Sequence, residues 1–186
     1  MSTLTIETGK TITLEDFLQI EDESCQLINS ELYMTPAPNT NHQRAIRLIY
    51  DLATKKLSDG EFFFSPTDVF LDEKNVFQPD LLFISEENKG VISERGIEGA
   101  PDLVIEVLSP SNAYLDRNIK KEIYFQKSVK EYWIVDLANQ TLEIYTLAQK
   151  DKRKPHLYLV KEGTVKSTII PTLKFDVWDI FKAIKS

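Results

Sequence analysis

The ten residues 101–110, PDLVIEVLSP, decide the fold of this chain. Five of them are apolar: Leu103, Val104, Ile105, Val107 and Leu108. A short apolar run of this kind predicts a strand that is buried on both faces. Glu106 lies in the middle of the run, where an uncompensated carboxylate costs several kcal/mol. Glu106 is therefore expected either to be salt-bridged within the fold or to belong to a chemical site.

The composition is that of an ordinary globular protein. The chain has 186 residues, of which 42% are hydrophobic and 27% charged, and we expect one domain over residues 1–186. The formal charge of −7 disfavours a protein whose whole surface binds nucleic acid, but it permits a local basic patch. One cysteine and two histidines argue against a disulfide and a structural zinc site. Neither a signal peptide nor a membrane span is evident, so we expect a cytoplasmic protein with no membrane partner.

The rest of the chain is predicted to combine two long helices with many short strands. Apolar residues recur at helical spacing over residues 37–57 and 112–128, and Asn39 or Thr40 can cap the first of these helices. Runs rich in aromatic and β-branched residues predict strands at 25–34 (as a hairpin), 61–66, 68–72, 77–85, 131–136 and 141–147. This mixture predicts an α/β domain with a mixed sheet.

A second carboxylate, Asp80, also borders an apolar strand, in FQPDLLFIS at residues 77–85. If the strands of Asp80 and Glu106 are neighbours, the two carboxylates can converge, and they then repel each other unless a cation lies between them. Mg²⁺ or Mn²⁺ suits such oxygen ligands and activates water for attack on a phosphoryl group. The alternative for Asp80 alone is a turn residue, since aspartate after proline is a common turn device.

The helix after the central strand supplies a candidate cation. Asp116, Lys120 and Tyr124 follow one another at intervals of four and so share a helix face. Asp116 and Lys120 could form only an exposed ion pair, or Lys120 could reach back to Glu106. Residues 116–130 carry five basic and two acidic side chains, which would suit a phosphate backbone.

Four motifs together resemble a known family: QPDLLFIS (78–85), GAPDLVIEVLSPSN (99–112), DRNIKKEIY (116–124) and VKEYWIVD (129–136). They resemble the Uma-type family, expanded in cyanobacteria, within the PD-(D/E)xK nuclease superfamily. The resemblance runs in order from Leu18 to Thr146. It implies a restriction-endonuclease-like fold, in which a mixed β-sheet core is flanked by helices.

The resemblance assigns the superfamily carboxylates to Asp80 and Glu106. The superfamily motif expects a lysine two residues after the second acid, where this chain has Leu108. In this family the lysine is expected on the following helix at Lys120, with Lys121 as the second choice. The resemblance further implies that Glu31 could join the metal site. Arg117, Lys121 and Tyr124 are candidate substrate-binding residues. Asp102, which also follows a proline, is expected to be a decoy.

The resemblance implies metal-dependent hydrolysis of phosphodiester bonds in DNA, with Mg²⁺ or Mn²⁺ held by Asp80 and Glu106. Lys120 beside two carboxylates would stay charged and act electrostatically. The resemblance also implies a homodimer, for which the aromatic strand around Trp133 could serve as an interface, although a core strand is the preferred interpretation. Two alternatives stay open: a nuclease-like binding or regulatory domain without turnover, and a domain in which Glu106 is merely salt-bridged to Lys120. His42 is not needed by this mechanism.

Overall fold

The computed structural model describes residues 11–20, 24–55, 57–110 and 112–184. Residues 1–10, where no signal peptide is expected, lie outside the described residues. The helices are α1 (Leu14–Phe17), α2 (Thr40–Thr54), a 3-10 helix (Glu86–Val91), a π-helical segment (Leu115–Lys120) that continues into α3 (Lys121–Gln126), and α4 (Trp178–Phe181). The strands are β1 (Cys25–Ile28), β2 (Glu31–Met34), β3 (Glu61–Phe64), β4 (Val69–Asp72), β5 (Asn75–Phe77), β6 (Leu81–Ile84), β7 (Ile92–Ser93), β8 (Gly96–Ile97), β9 (Leu103–Val107), β10 (Glu131–Asp136), β11 (Thr141–Thr146), β12 (Leu157–Val160), β13 (Thr164–Lys166) and β14 (Lys174–Asp176).

Two six-stranded sheets dominate the fold, which confirms the predicted α/β class with mixed sheets flanked by helices. The strand order is β2-β1-β5-β4-β8-β7 in one sheet and β12-β11-β10-β9-β6-β3 in the other, which we call the central sheet. Strands β13 and β14 form a separate hairpin. In the central sheet β9 runs parallel to β10 and antiparallel to β6.

Strand β9 is buried on both faces, as its apolar sequence predicts. Leu103, Ile105 and Val107 pack into a core that includes residues of α2 and α4. Val104, on the opposite face, packs into a second core that includes residues of α3 and of β1, β4, β5 and β8. Because side chains alternate along a strand, Glu106 lies on the same face as Val104. The carboxylate of Glu106 therefore points into the layer where α3 packs.

The connection from β9 to β10 brings the lysine-bearing helix back over the sheet. Two parallel neighbouring strands need a crossover, and here the π-helical segment and α3 form it. We refer to residues Leu115–Gln126 as the crossover helix. A π-helical segment is rare and is frequently found at functional sites.

Two local features differ from the expectations. Helix α2 ends at Thr54, earlier than predicted, because the chain there tightens into a turn with a hydrogen bond from Leu57 N to Thr54 O. The run 77–85 divides into the end of β5 and the whole of β6, since Pro79 has no N–H to donate to a ladder. The aromatic strand around Trp133 is β10, which is buried throughout, so the preferred interpretation as a core strand is confirmed and the alternative of a dimer interface is wrong.

Candidate active site

Asp80 and Glu106 meet where β6 and β9 lie side by side. The strands pair in register with Leu81 opposite Ile105, so Asp80 stands at the start of β6 and Glu106 near the end of β9. Val107 N donates to Asp80 Oδ2 at 2.7 Å, and Asp80 N donates to Glu106 Oε2 at 3.4 Å. Since Pro79 interrupts the ladder, the Asp80 carboxylate takes the hydrogen bond that a neighbouring strand would otherwise accept from Val107. The expected convergence of the two strands is confirmed.

Lys120 reaches back from the crossover helix to Glu106. Its Nζ lies 2.9 Å from Glu106 Oε1 and 3.1 Å from Asp116 Oδ1. Lys120 and Asp116 are both buried, so the alternative of a merely exposed ion pair is wrong. Tyr124 OH donates to the same Glu106 oxygen at 3.3 Å from within the core. Leu108, at the position where a strand lysine is expected, instead packs among the apolar residues of the second core.

The electrostatics of this group follow from two buried acids, Glu106 and Asp116, that share one lysine. Burial raises the pKa of Glu106 to about 8, even though the Lys120 ammonium opposes that rise. Burial also raises the pKa of Asp116 against the same opposing charge. Burial by itself would lower the pKa of Lys120, but Asp116 and Glu106 outweigh burial and raise it. Lys120 therefore stays protonated at neutral pH. Its single charge does not fully compensate the two acids, so a further cation or a proton would bind favourably beside them.

His42 joins this site, which the sequence interpretation missed. Its Nε2 lies 3.1 Å from Asp80 Oδ2 and 2.8 Å from Val107 O. Burial tends to lower the pKa of His42, but the Asp80 carboxylate outweighs burial and raises it. The available signal was spacing, because His42 begins the buried stripe of α2 that continues through Ile46, Ile49 and Ala53.

The acids described above, together with Lys120 and His42, line one cavity of about 580 Å³, which we call the acidic cavity. Its charged or titratable lining residues are His42, Asp80, Glu106, Asp116 and Lys120. The remaining lining is neutral: Ser24, Gln26, Thr35, Pro36, Ala37, Pro38, Asn39, Gln43, Ile46, Phe64, Ser65, Pro66, Gln78, Val107, Ser109, Pro110 and Asn112. The cavity thus combines a compact charged floor with walls that carry no charge.

Other candidates from the sequence do not come to the acidic cavity. Glu31 is exposed on β2 and accepts a hydrogen bond from Tyr33 OH, and it is not among the described residues that line the cavity. Arg117 instead binds Asp136 at the end of β10 and Glu143 within β11. Lys121 lies over the ring of Tyr145, with Nζ 4.3 Å from its centroid. The structure therefore brings Asp80, Glu106, Lys120 and Tyr124 together and leaves Glu31, Arg117 and Lys121 apart from them.

Asp102 occupies the opposite end of β9 and has a structural environment. Its Oδ2 accepts hydrogen bonds from Ser85 N at 2.8 Å and from Asn88 Nδ2 at 3.2 Å, and its Oδ1 pairs with Lys130. Asp102 is not among the described residues that line the acidic cavity. Its position agrees with the expectation that the proline-aspartate pair at 101–102 is a decoy.

The residues present fit a hydrated divalent cation rather than a closed protein cage. Among the described residues, no group of three or more His, Cys, Asp or Glu side chains is arranged to hold a metal ion. Mg²⁺ in phosphate-processing sites is commonly held by one or two carboxylates, with waters and substrate phosphate completing its shell. Asp80 and Glu106 offer that pair of carboxylates in an open cavity, where burial has left Glu106 short of compensating charge.

Two acids on adjacent strands of a mixed sheet and a lysine from the crossover helix thus form the candidate site. Residues 14–177 match the family described as "Uma2: Putative restriction endonuclease", and the chain belongs to that family. The resemblance found in its motifs is therefore confirmed. In the described part of the chain, no helix has the length and apolar character needed to cross a membrane.

Two similar proteins place this chain more closely. A Synechocystis protein named "Uncharacterized protein" is 27% identical over 149 residues, which cover 76% of this chain and 84% of that protein. A crystal structure described as "a putative nuclease belonging to DUF820", from Anabaena variabilis, superposes with a TM-score of 0.74 at 19% identity. That match covers 94% of this chain and 99% of the Anabaena chain, and it shows that the two share a fold.

Proposed function

We propose that this protein is a Mg²⁺-dependent endonuclease that hydrolyses phosphodiester bonds in DNA. One observation carries the proposal: Asp80, Glu106 and Lys120 line the same cavity in a chain of the Uma2 family. Asp80 and Glu106 would hold the cation. A bound Mg²⁺ or Mn²⁺ supplies charge neutralisation at the phosphate and lowers the pKa of water.

Lys120 has the geometry of an electrostatic residue rather than a general base. Its ammonium is buried between Glu106 and Asp116, and these acids raise its pKa, so it cannot readily accept a proton at neutral pH. Fixed in that position, it holds the Glu106 carboxylate in place and offers positive charge near the attacked phosphate. Tyr124 OH donates a hydrogen bond to the same Glu106 oxygen from within the core.

His42 and the backbone of Val107 hold Asp80. The carboxylate accepts from Val107 N, and the His42 ring lies within hydrogen-bond distance of both Asp80 and Val107 O. Contacts of this kind fix the rotamer of a ligating carboxylate and so contribute to metal affinity. His42 therefore has a positioning role in the proposed mechanism.

The proposal is tested by incubating purified protein with supercoiled, linear, single-stranded and branched DNA in Mg²⁺, Mn²⁺ or EDTA. We expect cleavage with the cations and none with EDTA. Glu106→Gln and Asp80→Asn should each lower the rate at least about a hundredfold, because each removes a charged ligand.

A matched control separates the site from a general effect of charge. Glu122→Gln makes the same change as Glu106→Gln, on an exposed residue of the crossover helix, and should leave the rate unchanged. Cleavage that survives both site variants would come from a contaminant and would contradict the proposal. A protein that binds DNA but cleaves none of the substrates would instead support a nuclease-like binding or regulatory domain.

We also propose, from the family resemblance, that the protein assembles as a homodimer. β12 lies at an edge of the central sheet and exposes Tyr158 and Val160, so it is one surface open to a second copy. Light scattering coupled to gel filtration should give twice the 21.4 kDa chain mass, and a monomer mass at all concentrations would contradict it.

A further inference from the structure

A second cavity of about 330 Å³ lies directly beside the acidic cavity. Five lining residues are common to both: Gln26, Thr35, Pro36, Asn112 and Lys120. The four residues that line only the second cavity are Ile28, Tyr33, Met34 and Leu115. Apart from the shared Lys120, this second space has no charged side chain among its described lining residues. A flat, mostly uncharged group could therefore bind in the second cavity while a phosphate joined to it binds in the acidic cavity.

Two amide side chains face this second cavity, and they differ in what they offer. The amide of Gln26 is fixed, because it donates to Thr35 Oγ1 at 2.9 Å and accepts from Gln78 N at 3.0 Å. The Asn112 side-chain amide has no hydrogen-bond partner among the described residues. An amide provides both a donor and an acceptor, and such a pair can bind the edge of a nucleobase.

We propose that the second cavity is a nucleobase subsite that accepts one unpaired base of a polynucleotide. This inference rests on the proposed function, since it places the attacked phosphate at Asp80 and Glu106 and the neighbouring base against Met34 and Leu115. Asn112 binds the edge of the base, and Ile28, Tyr33 and Pro36 complete its surroundings. The substrate is then a single strand, or a duplex that presents an unpaired nucleotide.

The charges around the two cavities support an unpaired base over an intact duplex. Lys120 and His42 are the basic residues among the described residues that line these cavities, and both are already engaged with acids. Binding to duplex DNA draws largely on lysine and arginine contacts to phosphates, whereas single strands also gain affinity when their bases stack on aromatic or apolar side chains. Tyr114, 70% exposed between Asn112 and Leu115, and Met34, 56% exposed, are available for such contacts.

The test compares two labelled duplexes that differ only in the presence of one nucleobase. One carries a single unpaired nucleotide, and the other carries an abasic residue at the same place. Binding is measured by fluorescence anisotropy with Ca²⁺ in place of Mg²⁺, and cleavage is measured separately with Mg²⁺. Because stacking of one base contributes about tenfold or more in affinity, we expect the duplex with the base to bind about tenfold tighter than the abasic duplex.

Asn112→Leu should reduce this preference by about threefold or more, because it removes the hydrogen bonds of the amide to the base edge and keeps the stacking contacts of Met34 and Leu115. Asn118→Leu is the matched control: it makes the same change on an exposed residue of the crossover helix and should keep the full preference. Equal binding of the two duplexes by the wild type would overturn the subsite, and this comparison needs no variant. So would equal effects of the two asparagine variants.

The outcomes also distinguish this inference from the proposed function. Cleavage without any preference for the unpaired base would leave the endonuclease standing and remove the subsite. A preference that depends on Asn112, in a protein that cleaves no substrate, would keep the subsite and remove the endonuclease.

Discussion

Lys120, on the crossover helix that follows β9, compensates the buried carboxylate of Glu106. The ammonium also faces Asp116, so it is shared between two acids, and a single positive charge cannot neutralise both. Burial raises the pKa of Glu106 despite this ion pair, and the neighbouring Asp116 carboxylate adds to the rise. A carboxylate that is already paired and still short of positive charge can serve the fold and a bound cation at once.

Lys120→Met and Lys121→Met form a matched pair, since the two lysines are adjacent but point to different surroundings. Lys120→Met should cost about 3–5 kcal/mol of unfolding free energy, because it leaves two buried acids without their cation, and it should abolish cleavage. Lys121→Met removes a contact to the Tyr145 ring and should cost less than about 1 kcal/mol, with cleavage retained. Urea unfolding at neutral pH and the DNA assay measure both. Equal losses in the two variants would contradict the assignment of Lys120.

The stability of the metal-free protein should depend on the ionisation of Glu106. Burial raises the pKa of Glu106 from 4.5 to about 8 in the folded state, so the folded protein binds this proton more tightly than the unfolded chain. The contribution is fully present below about pH 4.5 and is lost as pH rises through about 8. Glu106→Gln has no ionisable group at this position and does not lose this contribution. The unfolding free energy of the variant, relative to that of the wild type, should therefore rise by more than about 1 kcal/mol across that pH range. Urea unfolding in EDTA at several pH values tests this, and parallel pH profiles for the two proteins would refute it.

At the scale of elements, the two proline-aspartate pairs differ because they occupy different ends of the β6–β9 ladder. Asp80 immediately precedes β6, where the ladder is interrupted and its carboxylate faces an open cavity. Asp102 precedes β9. Its carboxylate accepts hydrogen bonds from Ser85 and Asn88 at the 3-10 helix and forms an ion pair with Lys130, which precedes β10. The same dipeptide thus serves a site in one place and connects loops in the other.

Asp102→Asn should therefore lower stability without affecting cleavage by the folded protein. Burial tends to raise the pKa of Asp102, but Lys130 and the Ser85 donors outweigh it and lower the pKa. The stabilisation is present above the ordinary aspartate range and is lost as pH falls through the lowered pKa. We expect a loss of about 1–3 kcal/mol at neutral pH that shrinks in acid. Chemical unfolding beside the DNA assay measures this, and a large loss of cleavage at unchanged stability would instead place Asp102 in the site.

The negative net charge of the whole molecule and the acids of the acidic cavity both disfavour the approach of a polyanion. A chain of formal charge −7 repels polyanions unless cations intervene, and the cavity floor concentrates three of its acids. A divalent cation would relieve both the repulsion among Asp80, Glu106 and Asp116 and the barrier to an approaching phosphate. The proposed cofactor is therefore expected to affect the free protein as well as catalysis.

Mg²⁺ should raise the melting temperature of the wild-type protein, and EDTA should reverse the rise. A ligand that binds only the folded state stabilises it, by about 2.7 kcal/mol at a hundredfold excess over its dissociation constant. For a chain of this size that corresponds to about 5–10 °C. Asp80→Asn should lose the shift, whereas Glu122→Gln should keep it in differential scanning fluorimetry. An identical shift in all three proteins would indicate that the ion acts elsewhere.

The sequence alone leaves open whether the strands of Asp80 and Glu106 are neighbours, but it predicts the central strand, the capped first helix and the hairpin at β1 and β2. These features depend on local pattern: apolar runs, cap residues and turn residues such as Asn29 and Ser30, which adopt positive φ. Such signals act over a few residues, and the sequence contains them directly. The family resemblance then located Lys120 on the helix in place of the absent strand lysine.

Only the tertiary structure decided which polar side chains share one cavity. His42 and Glu106 are 64 residues apart in the chain, and they line the same space because the first turn of α2 lies against the end of β9, where His42 Nε2 contacts Val107 O. Arg117 and Lys121 stand beside Lys120 in sequence, yet they point elsewhere because the turn of the crossover helix sends each side chain in its own direction. Spacing along the chain predicts which residues share an element, but the packing of elements sets which residues meet.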